Sequence, residues 1–293
     1  MLIVLGILFL LLSVGGSFAA MGGSLGILFQ PFEITLIAGS AFAIYIISNP
    51  AIVIKETFTF SWKTIFSRKV NAQDYKDIIM VIYGINRKVR SEGNWLKVEE
   101  DIENPNNSFI FKQYPNILRH ERTLEYITDH LRMISLEEKD SYTITELMET
   151  DYDTIKDDLA RVPKAMHQIA DALPALGIVA AVLGIIKAMG AISQPPEILG
   201  GLIGAALVGT FMGIFLSYGF VAPLANAIKS RQEKELKCLE CARAMMTALA
   251  NGLQPEICVE FGRKVLLSEE RPSFKELEKE LMIAKEKFKG NGS

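Results

Sequence analysis

The sequence predicts an all-α membrane protein with four transmembrane helices and a helical cytoplasmic domain. Four long apolar segments interrupt a chain of 293 residues that is 49% hydrophobic and 22% charged, with a mean hydropathy of +0.24. The charged residues collect in the stretches between and after these segments. One segment also carries small residues at every fourth position, Gly201, Ala205, Gly209, Gly213 and Ser217. In lipid, apolar side chains gain nothing by avoiding water, so helices associate where small residues let their backbones approach. Backbone polar groups inside a bilayer must also be satisfied within the segment, which makes each span a helix.

The spans are expected at residues 2–20, 34–49, 173–192 and 199–223, against the roughly 20 residues that cross a bilayer. Ser17, Phe18, Ala19 and Ala20 resemble a signal cleavage site, but no positive residue precedes the first apolar core, so an uncleaved span is the better reading. The second segment is short, although its uncharged run continues to Ile54 before Lys55. Orientation follows from the basic residues. Lys55, Lys63, Arg68 and Lys69 follow the second span; Lys156, Arg161 and Lys164 precede the third; Lys229, Arg231 and Lys234 follow the fourth. The turns at 22–31 and 193–200 carry neither Lys nor Arg, which predicts that they face outward and that both termini are cytoplasmic. Lys187, near the outer end of the third span, is expected to snorkel to the interface. The expected organisation is residues 1–54 for the first two spans, 55–171 for a cytoplasmic helical domain, 172–224 for the last two spans and 225–293 for a cytoplasmic C-terminal helical region.

In the first cytoplasmic stretch, Tyr75, Ile78, Ile79, Ile82, Tyr83 and Val89 follow a period near 3.6 up to Gly93 and Asn94, which predicts a helix that packs on its neighbours. Leu118, Leu124, Ile127, Leu131 and Ile134 predict another after Pro115. The acidic, turn-rich run from Glu99 to Asn107 between them reads as a surface loop. A third pattern, from Ile144 through Leu159 and Ile169 to Leu173, runs on into the third span, with Pro163 and Pro174 as candidate bends. Beyond Pro223, Ile228, Leu236, Leu239, Met246 and Leu249 predict a helix ending near Asn251 and Gly252.

Chemical motifs are sparse. The net charge of −3 and the lack of Lys or Arg runs exclude a nucleic-acid partner. Gly22, Ser24 and Gly26 fit G-x-S-x-G but lack the strand and helix that pattern requires. Cys238 and Cys241 form an isolated C-x-x-C, best read with Cys258 as reduced packing residues. His120, His130 and His167 have no metal-ligand spacing, and no phosphate-binding G-x-x-x-x-G-K-[ST] occurs. The expectation is therefore no enzyme, no catalytic residue, no cofactor and no metal. Between Ile198 and Ile228 the chain has the hydroxyl of Thr210 but no charged residue, so any carboxylate for an ion must come from another chain.

Four strings, residues 170–190, 204–214, 217–225 and 259–278, with the sequence DIENP at 101–105, closely resemble the MotA branch of the MotA/TolQ/ExbB proton-channel family, the flagellar motor stator subunits. The resemblance covers almost the whole chain. It implies an inner-membrane protein whose copies form a ring, a pentamer, around a single-span MotB-like partner carrying the ion-binding Asp. The cytoplasmic loop would push on the rotor protein FliG, with the bilayer as the remaining partner. It further implies that Pro174 and Pro223 couple the ion site to the loop, and that Thr210 faces the ion pathway. Ala181 stands where sodium-driven relatives have Thr, which favours protons. Arg90 and Glu99 match the rotor-facing pair, although one extra residue between them leaves Glu100 as an alternative. The rival reading is a TolQ- or ExbB-like energiser of an envelope system, with a passive membrane scaffold behind it.

Overall fold

A computed structural model describes residues 2–136 and 140–289. Met1, residues 137–139 of the expected cytoplasmic domain and the last four residues of the expected C-terminal region lie outside the described residues. Among the described residues, all regular structure is helical. The helices are α1 (Leu2–Ala20), α2 (Pro31–Ser48), α3 (Ala51–Phe66), α4 (Ala72–Glu92), α5 (Leu96–Glu103), α6 (Phe109–Lys112), α7 (Glu121–Ser135), α8 (Ser141–Gly190), α9 (Pro196–Leu216), α10 (Ala222–Ala250), α11 (Pro255–Val265) and α12 (Phe274–Lys289). Short 3₁₀ turns lie at Leu25–Leu28 and Ile117–Arg119, and a π turn at Ser217–Val221 joins α9 to α10. Four helical stretches are long and apolar enough to cross a membrane.

The chain divides into two compact units, Met1–Arg68 with Leu159–Arg231, and Lys69–Asp158 with Gln232–Ser293. In the membrane-spanning unit, α1 buries no residue of its own, while α2 buries Ile37, Ala41 and Tyr45. Ile37 and Ala41 pack with Leu173 and Ala180 of α8. Helix α2 thus shares a core with the later spans. Val162, Ala165 and Met166 of α8 join Tyr45, Val53, Ala225 and Ile228 in a further apolar cluster. This unit takes in α8 from Leu159 onward. Helix α3 is not anticipated by the sequence reading. It exposes Phe58, Trp62 and Phe66 at every fourth position, a ridge whose last two rings are 4.4 Å apart.

In the second, polar unit, α4 is central: every residue from Asp77 to Asn86 is buried. It starts on a capping box, in which the Asn71 side chain accepts from the Asp74 N–H while the Asp74 carboxylate accepts from the Asn71 N–H at 2.8 Å. It stops at Gly93, whose φ of 72° is a left-handed conformation that glycine adopts without cost. The expected surface loop from Glu99 is half helix, since α5 runs to Glu103. The reason is that Val98 and Ile102 join the core and buried Asp101 pairs with Lys88 at 2.7 Å, so an acidic run has an apolar face. Only the turn after Asn104 is irregular.

The 50-residue α8 runs unbroken through both Pro163 and Pro174. The other proline has a visible backbone consequence. Pro223 lacks an N–H and its ring crowds the carbonyl four residues back, and the π turn lies immediately ahead of it, with the Ala222 N–H bonded to the Ser217 carbonyl five residues earlier.

Candidate functional site

The helices α8 and α9 meet backbone to backbone. A Cβ added at Gly213 would lie 2.6 Å from the Leu173 carbonyl oxygen and 2.8 Å from the Gly177 Cα, and one added at Gly177 would lie 3.0 Å from the Gly209 carbonyl oxygen. At Gly209 it would meet the Ala180 Cβ at 3.1 Å, and at Gly184 the Ala206 Cβ at 2.7 Å. Each helical glycine costs roughly 1 kcal/mol relative to alanine, so this repeated use is explained by the approach it permits.

Of the small-residue stripe, Gly209, Gly213 and Ser217 face α8 and are buried. Ala205 is half-buried, its neighbour Ala206 makes the contact, and Gly201 is exposed with nothing within 4 Å of an added Cβ. The matching face of α8, Leu173, Gly177, Ala180 and Gly184, is not singled out by the sequence reading. It begins on a leucine and its spacing mixes four with three, so a rule of small residues at every fourth position finds only part of it. Ala181 is buried beside Gly209, with its backbone nitrogen 3.5 Å from an added Cβ there. Thr210 is half-buried, and its carbonyl oxygen lies 3.3 Å from an added Cβ at Gly177. The contact therefore gathers Ala181, Thr210, Gly209, Gly213 and Ser217. Pro174 is half-buried one helical turn from Gly177, and Pro223 is exposed just past the π turn.

The Ser217 hydroxyl donates to the Ala170 carbonyl of α8 at 2.6 Å and is buried. On the other side of the same turn, an added Cβ at Gly219 would meet Leu10 of α1 at 2.8 Å. Lys187 is exposed in the last turn of α8, where a cation also suits the helix dipole.

The two charged candidates belong to the polar unit. Arg90, exposed in the last turn of α4, donates to the Gly252 and Leu253 carbonyls at 2.6 and 2.9 Å. It thereby caps the turn that ends α10, where Gly252 has a φ of 72°. Glu99 and Glu100 are both exposed on α5. Beside them, Arg132 holds the Glu103 carboxyl below the usual range through a hydrogen bond. Burial pushes the Cys238 and Cys241 thiols well up, away from the reactive thiolate, and Cys258 is likewise buried and raised. Among the described residues no His, Cys, Asp and Glu cluster has a metal-site arrangement.

Residues 4–93 match the model for the motility protein A N-terminal region, and residues 116–241 match that for the MotA/TolQ/ExbB proton channel family. The chain is 40% identical over 286 residues to motility protein A of Escherichia coli strain K12, covering 97% of this chain and 96% of that protein. The chain belongs to the motility protein A family. The fold of this family member is also that of solved MotAB assemblies. It matches the structure of C. jejuni MotAB with a TM-score of 0.75 at 18% identity, over 93% of this chain and 98% of that one. For the MotAB stator complex from Bacillus subtilis the TM-score is 0.69 at 22% identity, over 91% and 94%.

Proposed function

We propose that this chain is the A subunit of a flagellar stator in the bacterial inner membrane, which forms with a single-span MotB-like partner a proton channel that drives the rotor. The observation that carries the reading is the α8–α9 contact. Two membrane helices are held at backbone distance through Gly177, Gly209 and Gly213, with the half-buried Thr210 facing Gly177 through its carbonyl and no Asp or Glu in either apolar segment. Such a pair is a wall for an ion path rather than its binding site, so the carboxylate comes from the partner. The match of residues 4–93 to the motility protein A N-terminal model supports the stator reading over a TolQ- or ExbB-like energiser, because the match over 116–241 is to a family model that covers all three.

In this reading five copies surround the partner, both termini are cytoplasmic, Thr210 and Ala181 line the proton path, and Pro174 and Pro223 couple it to the cytoplasmic helices. Arg90 and Glu99 face FliG. A rim charge suits that task because it steers fast, reversible encounters more than it adds affinity. Each charge that crosses supplies about 2.3 kcal/mol per 100 mV, enough to bias a conformational equilibrium of a few kcal/mol. The test is expression in motile cells lacking their own A subunit, with co-purification. Swimming restored in proportion to the proton gradient, with a single-span protein in the purified complex, supports it. A complex around a different single-span protein without swimming would transfer the chain to the envelope energisers.

A further inference from the structure

Pro174 lies inside α8 without an N–H, so the carbonyl four residues back, that of Ala170, has no helical donor at the place any other residue would supply one. The Ser217 hydroxyl donates to that carbonyl at 2.6 Å, and Ser217 is 1% exposed. A helical serine ordinarily turns its hydroxyl back onto its own helix; this one reaches the neighbouring helix and fills the gap left by the proline. Ser217 is also the first residue of the π turn, and its own carbonyl accepts the five-residue bond from Ala222 immediately before Pro223. The closeness needed for this is provided by Gly213, where no Cβ stands between the helices.

We infer that Ser217 is a positioning residue, whose hydroxyl stands in for the hydrogen bond Pro174 cannot make and thereby ties the proline site of α8 to the π turn ahead of Pro223. A change of bend at either proline then stretches or breaks one buried hydrogen bond and is felt at the other. An alanine at 217 would leave the Ala170 carbonyl buried and unpaired and the two sites independent. The consequence for torque rests on the stator reading above, whereas the hydrogen bond itself does not.

Two measurements separate these. In cells with a bead attached to a single flagellar filament, torque rises in steps as stators engage. A merely loosened fold lowers the number of steps, whereas loss of coupling lowers their height. Ser217→Ala is expected to keep the number and reduce the height roughly two- to tenfold, the factor one such hydrogen bond is worth. Unchanged step height overturns the coupling role. The second measurement is a double-mutant cycle on the melting temperature of the detergent-purified complex. Ser217→Ala should lower it by a few degrees when residue 174 is proline, and leave it unmoved in Pro174→Ala, where the new N–H pairs with Ala170 directly. Equal losses in both backgrounds overturn the substitution of one bond for the other. If the unaltered chain drives no rotation at all, the stator reading falls, and the cycle still decides the role of the hydroxyl.

Discussion

In the membrane-spanning unit, α8 and α9 touch through Gly177, Gly184, Gly209 and Gly213, and what lies across from each glycine is backbone or a methyl group. In the polar unit the central α4 buries Tyr75, Ile78, Ile82, Tyr83 and their neighbours, and Phe111, Tyr126 and Leu131 close over it. There the large rings end in hydrogen bonds: the Tyr126 hydroxyl donates to the Met148 carbonyl at 2.7 Å, and burial raises that phenol's pKa. The contrast follows from solvent. Where water is present, removing apolar area from it is the driving force, at about 25 cal/mol per Å², and large side chains serve best. In lipid that force is gone, so packing and buried hydrogen bonds carry association, and small side chains serve best.

The sharpest way to break that comparison is to give Gly213 a methyl group. Gly213→Ala sets a Cβ against the Leu173 carbonyl and the Gly177 backbone, neither of which can rotate aside. A loss of about 3 kcal/mol, the upper end of overpacking, should leave no intact complex on size-exclusion chromatography in detergent and no swimming. Gly201→Ala, with open space around it, should not disturb the chain's own packing. An assembled, motile Gly213→Ala protein would show that the close approach is dispensable.

Next in size is Arg90→Glu, which tests the exposed edge of the polar unit against its core. It replaces a donor to the Gly252 and Leu253 carbonyls with an acceptor. Swimming should be abolished while complexes are recovered in normal yield, and amide exchange should quicken around residues 250–254. Normal swimming would overturn the proposed rotor contact and leave Arg90 only its capping role. The mirror image of Gly213 is Gly262, where an added Cβ meets the Met245 side chain, Cγ at 2.6 Å and Sδ at 2.7 Å. Met side chains are flexible and re-pack, so Gly262→Ala should cost only about 1 kcal/mol and lower the melting temperature without loss of assembly. A cost equal to that of Gly213→Ala would erase the distinction between a backbone wall and a yielding one.

The four spans, the long α8 and the end of α10 were legible because hydropathy and a 3.6-residue period are properties of single helices. What lies between helices was legible only in part. The α9 stripe could be read from its spacing, but nothing in it says that Ala206 rather than Ala205 meets α8, or that Gly201 has no neighbour in its own chain. Helix α5 was hidden because its acidic residues dominate the run while Val98 and Ile102 alone carry its packing. Arg90 was marked by resemblance as a surface charge, and the carbonyls it caps are 162 and 163 residues away along the chain, a separation no local pattern encodes. The bond from Ser217 to Ala170 is of the same kind: the serine belongs to a visible stripe, the proline to a visible helix, and only their approach joins them.

The smallest expected effect separates the units by pH. In α11, Arg263 donates through Nε and Nη2 to the two carboxylate oxygens of Glu260, both at 2.8 Å, and that hydrogen bonding holds the Glu260 carboxyl below its usual value. A carboxyl with a depressed pKa in the folded state binds its proton less readily than in the unfolded chain. Its stabilisation is therefore fully present above the ordinary glutamate pKa of about 4.3 and is lost as the pH falls through the lower, folded value. Melting temperature followed from pH 7 downward should be flat for this pair until about pH 4 and then fall. Glu260→Gln should start lower and lose less over the same acid range, because its side chain does not titrate. The α8–α9 contact has no carboxylate of its own between Ala172 and Pro196 or between Ile198 and Pro223, so Ser217→Ala, which still assembles, should shift the whole curve without changing its acid slope. An acid slope in Glu260→Gln as steep as in the unaltered chain would assign the pH dependence to other carboxylates of the polar unit, such as Glu103 and Glu276, which Arg132 and Lys76 hold down in the same way.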